Sequence, residues 1–461
     1  MSKRIYSLIT SLVIFLFWLI TFLCFSYSVN SKIISTIESI QLSLIGIFSL
    51  LLFIFVDDTF YILPIFCYVP FMFSHPFDAL TIPIGLYISL TLAFIGAIIH
   101  FIKYKPKLIE PKLLLGIVAF LISLIIGGIF NFDNKYLLIQ ILFCAVISAL
   151  FSFGYSFFVS TGKKEDFKTI STIINCLAIL LIFQEITYFI IHPDFSIKAL
   201  NVGWGISNNI ALMLLFTLPF SLYMAIKEKS KIRYAYLLFI LVEFIFIILT
   251  YSRGGIIIST FEIITLFIIG FLAFKKEKLL KPFILVNLIF SLILLASFGI
   301  IYLKSPEFIK NIYNSTIKGI NFSTLNGRLK IYKEYILLSK NHLIFGHGIL
   351  YPFLYSVDVG NGAYQWGHCT YIHTLFTLGI VGVLAITYHF IEKYYSVIKN
   401  INFEKSILLM CFISSGLYGM IDISYFFINY MMVFIITIIL SNDYIEKLDL
   451  RRLFSKWLFL L

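Results

Sequence analysis

Charged residues are scarce in this sequence. Asp, Glu, Lys and Arg make up 13% of its 461 residues, and hydrophobic residues make up 60%. Soluble globular chains carry about 25% charged residues, so the composition excludes an ordinary soluble domain and predicts an integral membrane protein. The net charge is +12, but most of the basic residues lie in short segments between apolar runs. Their placement indicates membrane topology rather than nucleic-acid binding.

Motifs for metals and nucleotides are also missing. The six cysteines are dispersed without a CxxC pair, and no acidic or cysteine cluster accompanies the eight histidines at ligand spacing. We therefore expect no bound metal. The chain has no P-loop and no GxGxxG motif after a strand, which argues against a cytoplasmic nucleotide-sugar or ATP site. We also expect no cofactor.

Long hydrophobic runs dominate what is present. The apolar segments are 5–27, 40–56, 59–74, 79–101, 113–130, 136–160, 169–191, 206–226, 234–251, 254–274, 282–302, 370–391, 406–420 and 424–440. The predicted fold is an all-α polytopic membrane protein with about 12–14 transmembrane helices. The first apolar run is too long for the core of a signal peptide, so we expect no cleavable leader.

Basic residues are distributed unevenly between the two sides of these segments. If the N-terminus is cytoplasmic, 24 of the 35 Lys and Arg residues lie on the cytoplasmic side, as the positive-inside rule requires. An even number of spans then places both termini in the cytoplasm. The predicted organisation is transmembrane helices 1–11 over 1–302, an external loop over 303–368, helices 12–14 over 369–440, and a basic cytoplasmic tail over 441–461.

The external loop is predicted to contain two short helices and to be the catalytic region. Ser305, Pro306 and Glu307 are typical of a first helical turn, and this helix would run to about Lys318. A second helix, over about 328–341, carries apolar residues along one side.

Two arginines fall at or near span ends on the predicted outer face. Arg253 lies in an almost loop-free junction beside two glycines, where a guanidinium group can grip a phosphate. Arg328 begins the second loop helix, whose N-terminal dipole also favours an anion. Either residue can instead be an ordinary interfacial or solvated arginine. The pair is a candidate diphosphate clamp if the fold brings both together.

His368 is the candidate general base. It lies at the membrane edge immediately before a span, and histidine titrates near physiological pH. His342, His347 and His373 compete for this role, and His368 can also be incidental.

Few acidic residues lie within the spans. They are Glu185, Glu243 and Glu262, while Asp422 lies in a tight turn at the predicted outer face. Intramembrane carboxylates serve proton-coupled transporters or hydrogen-bond internally. A transporter such as a lipid-linked oligosaccharide flippase is therefore the alternative from another class. Against it, the chain shows no clear internal repeat and its largest hydrophilic element is external.

Several short motifs occur in a recognisable order over about 205–385. They are Asn208-Asn209-Ile210-Ala211 with Leu218-Pro219, Ser252-Arg253-Gly254-Gly255, Gly327-Arg328 followed by Tyr332, Ile344-Phe345-Gly346-His347-Gly348, and His368-Cys369-x-Tyr371-Ile372 running to Leu378-Gly379-Ile380-Val381-Gly382. This set resembles the O-antigen polymerase and ligase family of bacterial envelope glycosyltransferases. The chain departs from the family where Cys369 follows His368 in place of Asn, and where Tyr332 stands in place of Trp.

The resemblance implies a GT-C-like membrane fold and an inverting, metal-independent glycosyltransferase. The donor would be an undecaprenyl-diphosphate-linked oligosaccharide outside the cytoplasmic membrane. By the matching motifs, Arg253 and Arg328 would bind the diphosphate, and His368 would activate or position the acceptor hydroxyl. Other matching residues would contact the substrate: Asn208, Tyr332, Gly346, Gly348 and Tyr371.

The resemblance leaves two reactions open. A polymerase joins one lipid-linked repeat to another, whereas a ligase moves the glycan to a lipid, protein or wall acceptor. We expect a polymerase that builds a surface polysaccharide such as O-antigen, capsule or exopolysaccharide. Besides the lipid bilayer, flippase and chain-length regulator proteins are candidate partners.

Overall fold

Apolar runs in this chain form helices because a bilayer offers backbone N–H and C=O groups no partners other than each other. The computed structural model of the chain describes residues 3–74, 83–105, 109–110, 114–130, 167–192, 200–304, 328–349, 351–354, 357–358, 363–364, 367–399, 401–423 and 446–447. The predicted segments 136–160 and 424–440 and the predicted loop helix 305–318 lie outside this described part.

The described residues form fourteen α-helices, numbered here in chain order. They are α1 (Lys3–Ser26), α2 (Ser31–Phe55), α3 (Leu63–Tyr68), α4 (Ile84–Tyr104), α5 (Leu114–Ile129), α6 (Phe167–Ile191), α7 (Ser207–Lys227), α8 (Ile232–Leu249), α9 (Arg253–Lys276), α10 (Leu280–Lys304), α11 (Arg328–Ser339), α12 (Tyr351–Leu354), α13 (Thr370–Ile398) and α14 (Phe403–Gly419). Short 3-10 helices occupy Thr59–Tyr61, Val69–Met72 and Lys340–His342.

Eight of these helices are long and apolar enough to cross a membrane, namely α1, α2, α4, α6, α7, α8, α9 and α13. The predicted class, an all-α polytopic membrane protein, is confirmed. The helix α11 also agrees with the predicted second loop helix. One start differs clearly, because α2 begins at Ser31 rather than at residue 40. The side chain of Asn30 accepts a hydrogen bond from the Lys32 amide, and this cap extends the helix through a polar stretch.

The helices α2 and α4 run in the same direction. The start of α4 meets α2 at Ser39, which lies against Gly85, and its end meets α2 where His100 Nδ1 lies 3.0 Å from the Phe53 carbonyl oxygen. The chain must therefore cross back between them. Residues 59–72 make this return as a shorter apolar helical stretch, in place of one continuous predicted helix.

Helix α7 is the centre of the bundle. Its residues from Asn209 to Ile226 are buried, because α6, α8, α9 and α14 all pack around it. Glu243 of α8 is fully buried against it and accepts hydrogen bonds from Thr217 at 2.6 Å and Ser221 at 2.7 Å. These hydroxyl groups satisfy a carboxyl that would otherwise be costly inside a membrane.

The two ends of α7 carry different polar clusters. At its C-terminal end, Glu228 pairs with Arg4 and Lys168, each at 2.8 Å, so three segments predicted to be cytoplasmic do lie on one side. At its other end lie Asn208 and the turn that holds Asp422. A helix of this length separates the clusters by about 30 Å, the thickness of a bilayer core. Which cluster faces the cytoplasm stays a prediction.

Two short antiparallel ladders complete the described part. Ile109–Glu110 (β1) pairs with Glu446–Lys447 (β4), with Ile109 opposite Lys447. Val357–Asp358 (β2) pairs with Ala363–Tyr364 (β3), with Val357 opposite Tyr364. The first ladder joins the segment after α4 to the tail, and both were predicted to be cytoplasmic. The second lies within the predicted external loop.

Helix α13 is folded back on itself at Gly379. This residue has φ 67° and ψ −165°, and the rings of Tyr371 and Phe390 lie 6.1 Å apart. A straight helix would separate those two positions by about 28 Å. The prediction of one uninterrupted span over 370–391 is therefore wrong. Residues 370–378 form a separate limb, and residues 380–398 form the long one.

Candidate active site

Four helices begin at one place. They are α7, α9, α11 and α13, and each begins beside the turn that follows α14 and contains Asp422. Asn208, Arg328 and the hydroxyl of Thr370 contact Asp422 directly. Because helix N-termini carry a partial positive charge, the fold concentrates positive potential around this turn.

Asp422 is the centre of the side-chain contacts. Its Oδ2 accepts a hydrogen bond from Asn208 Nδ2 at 2.6 Å and lies 3.8 Å from Arg328 Nη2. Its Oδ1 accepts the Ile423 amide at 2.8 Å and lies 3.4 Å from His368 Nδ1. The Asp422 side chain is 8% exposed, whereas those of Arg328 and His368 are 22% and 24% exposed.

These contacts keep Asp422 ionised. Burial on its own raises the pKa of the carboxyl, but hydrogen bonding to His368 and the charges of His368 and Arg328 lower it further than burial raises it. The pKa of Asp422 therefore lies below its ordinary value. The carboxylate holds an arginine on one oxygen and a histidine on the other.

His368 is held in an unusual backbone conformation. Its φ is 46°, in the left-handed region that residues with a Cβ adopt only at a cost. The Tyr332 hydroxyl donates to the His368 carbonyl oxygen at 2.8 Å. Since Tyr332 lies one helical turn after Arg328 on α11, the same face of that helix carries both residues to the site.

The start of α9, where Arg253 lies, is joined to the same end of the bundle by hydrogen bonds of the neighbouring Ser252. It is the first residue of α9, whose N-cap is Ser252, with its side chain accepting from the Gly255 amide at 3.3 Å. The hydroxyls of Ser252 and Tyr418 lie 2.9 Å apart, and Tyr418 donates to the Asn208 carbonyl oxygen at 2.9 Å. The network links the starts of α7 and α9 to the end of α14.

The Gly346 and Gly348 segment lies away from Asp422 and fills the break in α13. The amides of His347 and Gly348 donate to the carbonyl oxygens of Phe376 and Thr377, both at 2.8 Å. In return, the Ile380 amide donates to the Leu343 carbonyl oxygen at 2.9 Å. The loop therefore satisfies backbone groups that the reversal leaves without helical partners.

The eight predicted site residues divide into three groups. Arg328, His368 and Asn208 meet at Asp422, and Tyr332 joins them through the His368 carbonyl. Arg253 stands at the neighbouring helix start. The remaining three do not contact Asp422 in the described structure: Gly346 and Gly348 pair with α13, and Tyr371 packs on Phe390. Their part in substrate binding stays a prediction.

Among the competing histidines, none shows a contact with Asp422. His373 is fully buried in α13, with its Nδ1 facing the Gly367 amide at 3.3 Å. His347 stacks on Phe376, with ring centroids 4.4 Å apart, and its ring also contacts that of His342 at a tilt of 59°. Burial lowers the pKa of His347 to about 4, so this histidine is neutral at physiological pH.

Three residues of the site were not in the predicted set. Asp422 stands out in the sequence only as an acidic residue in a tight turn. Ser252 lies inside the motif that carries Arg253, and an N-cap serine before a glycine pair is a usable signal. Nothing in the sequence distinguishes Tyr418 from the other 27 of the 28 tyrosines. No group of three or more His, Cys, Asp or Glu residues in the described part of the chain is arranged to bind a metal ion.

The arrangement suits an anionic ligand with a nearby nucleophile. Four helix N-termini, two of which begin with arginine, surround a single carboxylate, so an additional anion is favoured there. A histidine paired with a carboxylate through Nδ1 presents Nε2 to accept a proton. The site can therefore bind a phosphate-type leaving group and remove a proton from an acceptor.

The chain was also compared with known proteins. Residues 235–387 match the family model described as O-antigen ligase. This range includes Arg253, Arg328, Tyr332 and His368, and it confirms the resemblance to the O-antigen ligase and polymerase family. A comparison with curated proteins finds no match.

Proposed function

We propose that this protein transfers a glycan from a polyprenyl diphosphate donor to an acceptor hydroxyl at the outer face of the cytoplasmic membrane. One observation carries the proposal: four helix N-termini converge, and two of them, those of α9 and α11, begin with Arg253 and Arg328. Helix starts and guanidinium groups both bind phosphate oxygens. A diphosphate carries more negative charge than Asp422. It would bind where the positive charge of the helix starts and arginines exceeds the negative charge of Asp422.

The proposed reaction forms one glycosidic bond and breaks one sugar–phosphate bond. The acceptor oxygen attacks the anomeric carbon, and the electron pair of the broken bond leaves on the diphosphate. Arg253 and Arg328 neutralise that developing charge. His368 accepts the acceptor proton on Nε2, while Asp422, 3.4 Å from Nδ1, stabilises the imidazolium that forms. Attack opposite the leaving group inverts the anomeric carbon.

Polymerisation of undecaprenyl-linked repeats is the main proposed reaction. A span count of about 12–14 is typical of the polymerases in this family, which is an argument from fold similarity only. Ligation to a lipid, protein or wall acceptor is the second candidate, and the description of the matching family as O-antigen ligase favours it. The two reactions share the donor and differ in the acceptor.

The length distribution of the surface glycan separates these reactions. We expect Arg328→Ala and His368→Ala to lower glycan transfer by about 10²-fold or more, since each removes a group that acts in the transition state. Cells with either variant would then show single repeats in place of a ladder if the protein is a polymerase. Long chains that accumulate on the lipid carrier would identify a ligase.

Lys330→Ala is the matched control at equal protein level. Lys330 is a basic, exposed residue on the same helix as Arg328, so its loss should leave the ladder intact. Unchanged ladders in both Arg328→Ala and His368→Ala would contradict the proposed site and favour the transporter.

A further inference from the structure

The backbone of His368 needs an external partner to keep its conformation. Its left-handed φ of 46° is unfavourable for a residue with a Cβ, and it lies just before α13, whose first residue is Thr370. The same backbone conformation directs the imidazole so that Nδ1 lies 3.4 Å from Asp422. A strained residue persists only where its surroundings determine its conformation.

The partner is on α11. The Tyr332 hydroxyl donates to the His368 carbonyl oxygen at 2.8 Å. The helix that carries Tyr332 is itself fixed, because the Tyr335 ring is fully buried and lies 4.8 Å from the ring of Phe376 on the short limb of α13. Tyr332 is therefore a rigid donor, anchored independently of the histidine that it contacts.

The hydroxyl keeps its proton under all working conditions. Burial raises the pKa of Tyr332 to about 12, with a smaller contribution from Cys369. Because its one proton is directed at the His368 carbonyl oxygen, the hydroxyl has no second proton to donate to a sugar. This geometry differs from the substrate contact that the motif resemblance implies.

We propose that Tyr332 is a positioning residue, which holds His368 in its strained conformation and thereby keeps the imidazole against Asp422. The role rests on the proposed function, in which His368 is the base. Its loss should lower the rate of the chemical step and leave donor binding unchanged. A tyrosine that bound the donor would change KM for the donor instead.

Chemical labelling tests the link between the two residues without any glycan substrate. The purified full-length protein is treated with diethyl pyrocarbonate, and modification of each histidine is followed by peptide mass spectrometry. Tyr332→Phe should make His368 react several-fold faster, because the imidazole leaves its carboxylate. An unchanged rate at His368 would overturn the proposal. A faster reaction at His373 as well as at His368 would also overturn the proposal. Because His373 is fully buried, its reaction would show that the Tyr332 hydroxyl stabilises the fold as a whole.

Kinetics give the second measurement. Tyr332→Phe should lower kcat about ten-fold with KM for the lipid-linked donor unchanged, since small misplacement of a catalytic group is costly. In a His368→Ala background the same change should have no further effect. An equal loss in both backgrounds, or a raised KM, would overturn the positioning role.

Tyr395→Phe is the chemically matched control for both measurements. This tyrosine is 62% exposed at the far end of α13, so neither the labelling rate nor kcat should change. If wild type shows no transfer at all, the proposed function fails, and the labelling result still decides the link between Tyr332 and His368.

Discussion

Asp422 shows how one small side chain can organise a site made from distant parts of a chain. Its two oxygens contact groups on α7, on α11 and before α13. Removing the carboxylate would leave a partly buried arginine and an unsatisfied amide, and each loss costs free energy. The carboxylate thus both stabilises the helix starts and lies between the side chains of Arg328 and His368.

The ionisation of Asp422 gives a pH prediction. Its pKa is lowered in the folded protein, so its contribution to stability is present at neutral pH and is lost only as pH falls through the lowered pKa, below the ordinary value of about 3.9. The difference in apparent Tm in detergent between wild type and Asp422→Asn should therefore not shrink between about pH 8 and pH 5. A difference that halves over this range would contradict the lowered pKa.

Arg328→Gln tests the cause of that shift. It removes one of the charges that lower the pKa of Asp422. In a protein that carries Arg328→Gln, the Tm difference caused by Asp422→Asn should therefore begin to shrink at a higher pH than it does in wild type. Lys330→Gln, a change of equal charge at an exposed neighbour, should leave the onset where it is in wild type.

Sequence alone identified Arg253, Arg328 and His368 as site residues, and it noted Asp422 at the predicted outer face without placing it in the site. Arg253, Arg328 and His368 each stand beside a span end, where a charged or titratable residue is conspicuous against apolar neighbours. Asp422 also stands at a span end and is conspicuous as an acidic residue there, but its place at the centre of the site depends on partners as distant as Asn208, 214 positions earlier. Tyr332 was found as a residue, but its contact with a backbone carbonyl depends on tertiary packing.

At the scale of elements, the reversal in α13 depends on two glycines: Gly379 packs against the backbone of the loop after α11, and Gly346 of that loop packs against the backbone of α13. A Cβ on Gly379 would lie 2.2 Å from the Ile344 carbonyl oxygen, and one on Gly346 would lie 2.3 Å from the Leu378 amide nitrogen. Both residues also have positive φ, 67° and 70°. The loop that contains Gly346 and the break at Gly379 can therefore form only together. Only glycine fits at either position.

Gly379→Ala should destabilise the end of the bundle at which α13 reverses. With φ 67° and ψ −165°, Gly379 lies in a backbone region that is essentially confined to glycine, where a Cβ costs about 1–3 kcal/mol, and the clash with Ile344 adds to this cost. We expect a clearly lower apparent Tm or a failure to accumulate. Thermal unfolding in detergent would measure this, with Gly128→Ala as the control, because no atom of the described residues lies within 4 Å of a Cβ there. Equal Tm values for the two variants would contradict the account.

Hydrophobic runs predicted the helices well and the break poorly. Most helix ends agree with the apolar segments to within a few residues, because burial in lipid requires continuous apolar helix. Gly379 lies inside such a run, and glycine is common in straight transmembrane helices. Its positive φ depends on residues 343–348, which the sequence does not place beside it.

At the scale of the molecule, charged residues form clusters at the two ends of α7. Arg4, Lys168 and Glu228 meet at one end of α7, and the site lies at the other. The distribution of Lys and Arg predicts that the first end is cytoplasmic. The structure agrees with the grouping that this prediction requires.

Single cysteines would test the orientation. Lys229 and Asn341 are both exposed, the first after α7 and the second after α11. In a background without other reactive cysteines, a membrane-impermeant maleimide should label Asn341→Cys in intact spheroplasts, and Lys229→Cys only after permeabilisation. The reverse pattern would place the proposed site in the cytoplasm and contradict transfer from an externally displayed donor.

The long separation between Asn208 and Asp422 has a consequence during synthesis. At about 5–20 residues per second, the ribosome needs roughly 10–40 s to add the 214 positions that separate these two partners. Helix α7 is therefore made well before the carboxylate that its Asn208 side chain contacts. On the proposed function, a nascent chain that has not yet reached Asp422 lacks the complete site. The start of α7 and the site thus mature at different times during synthesis.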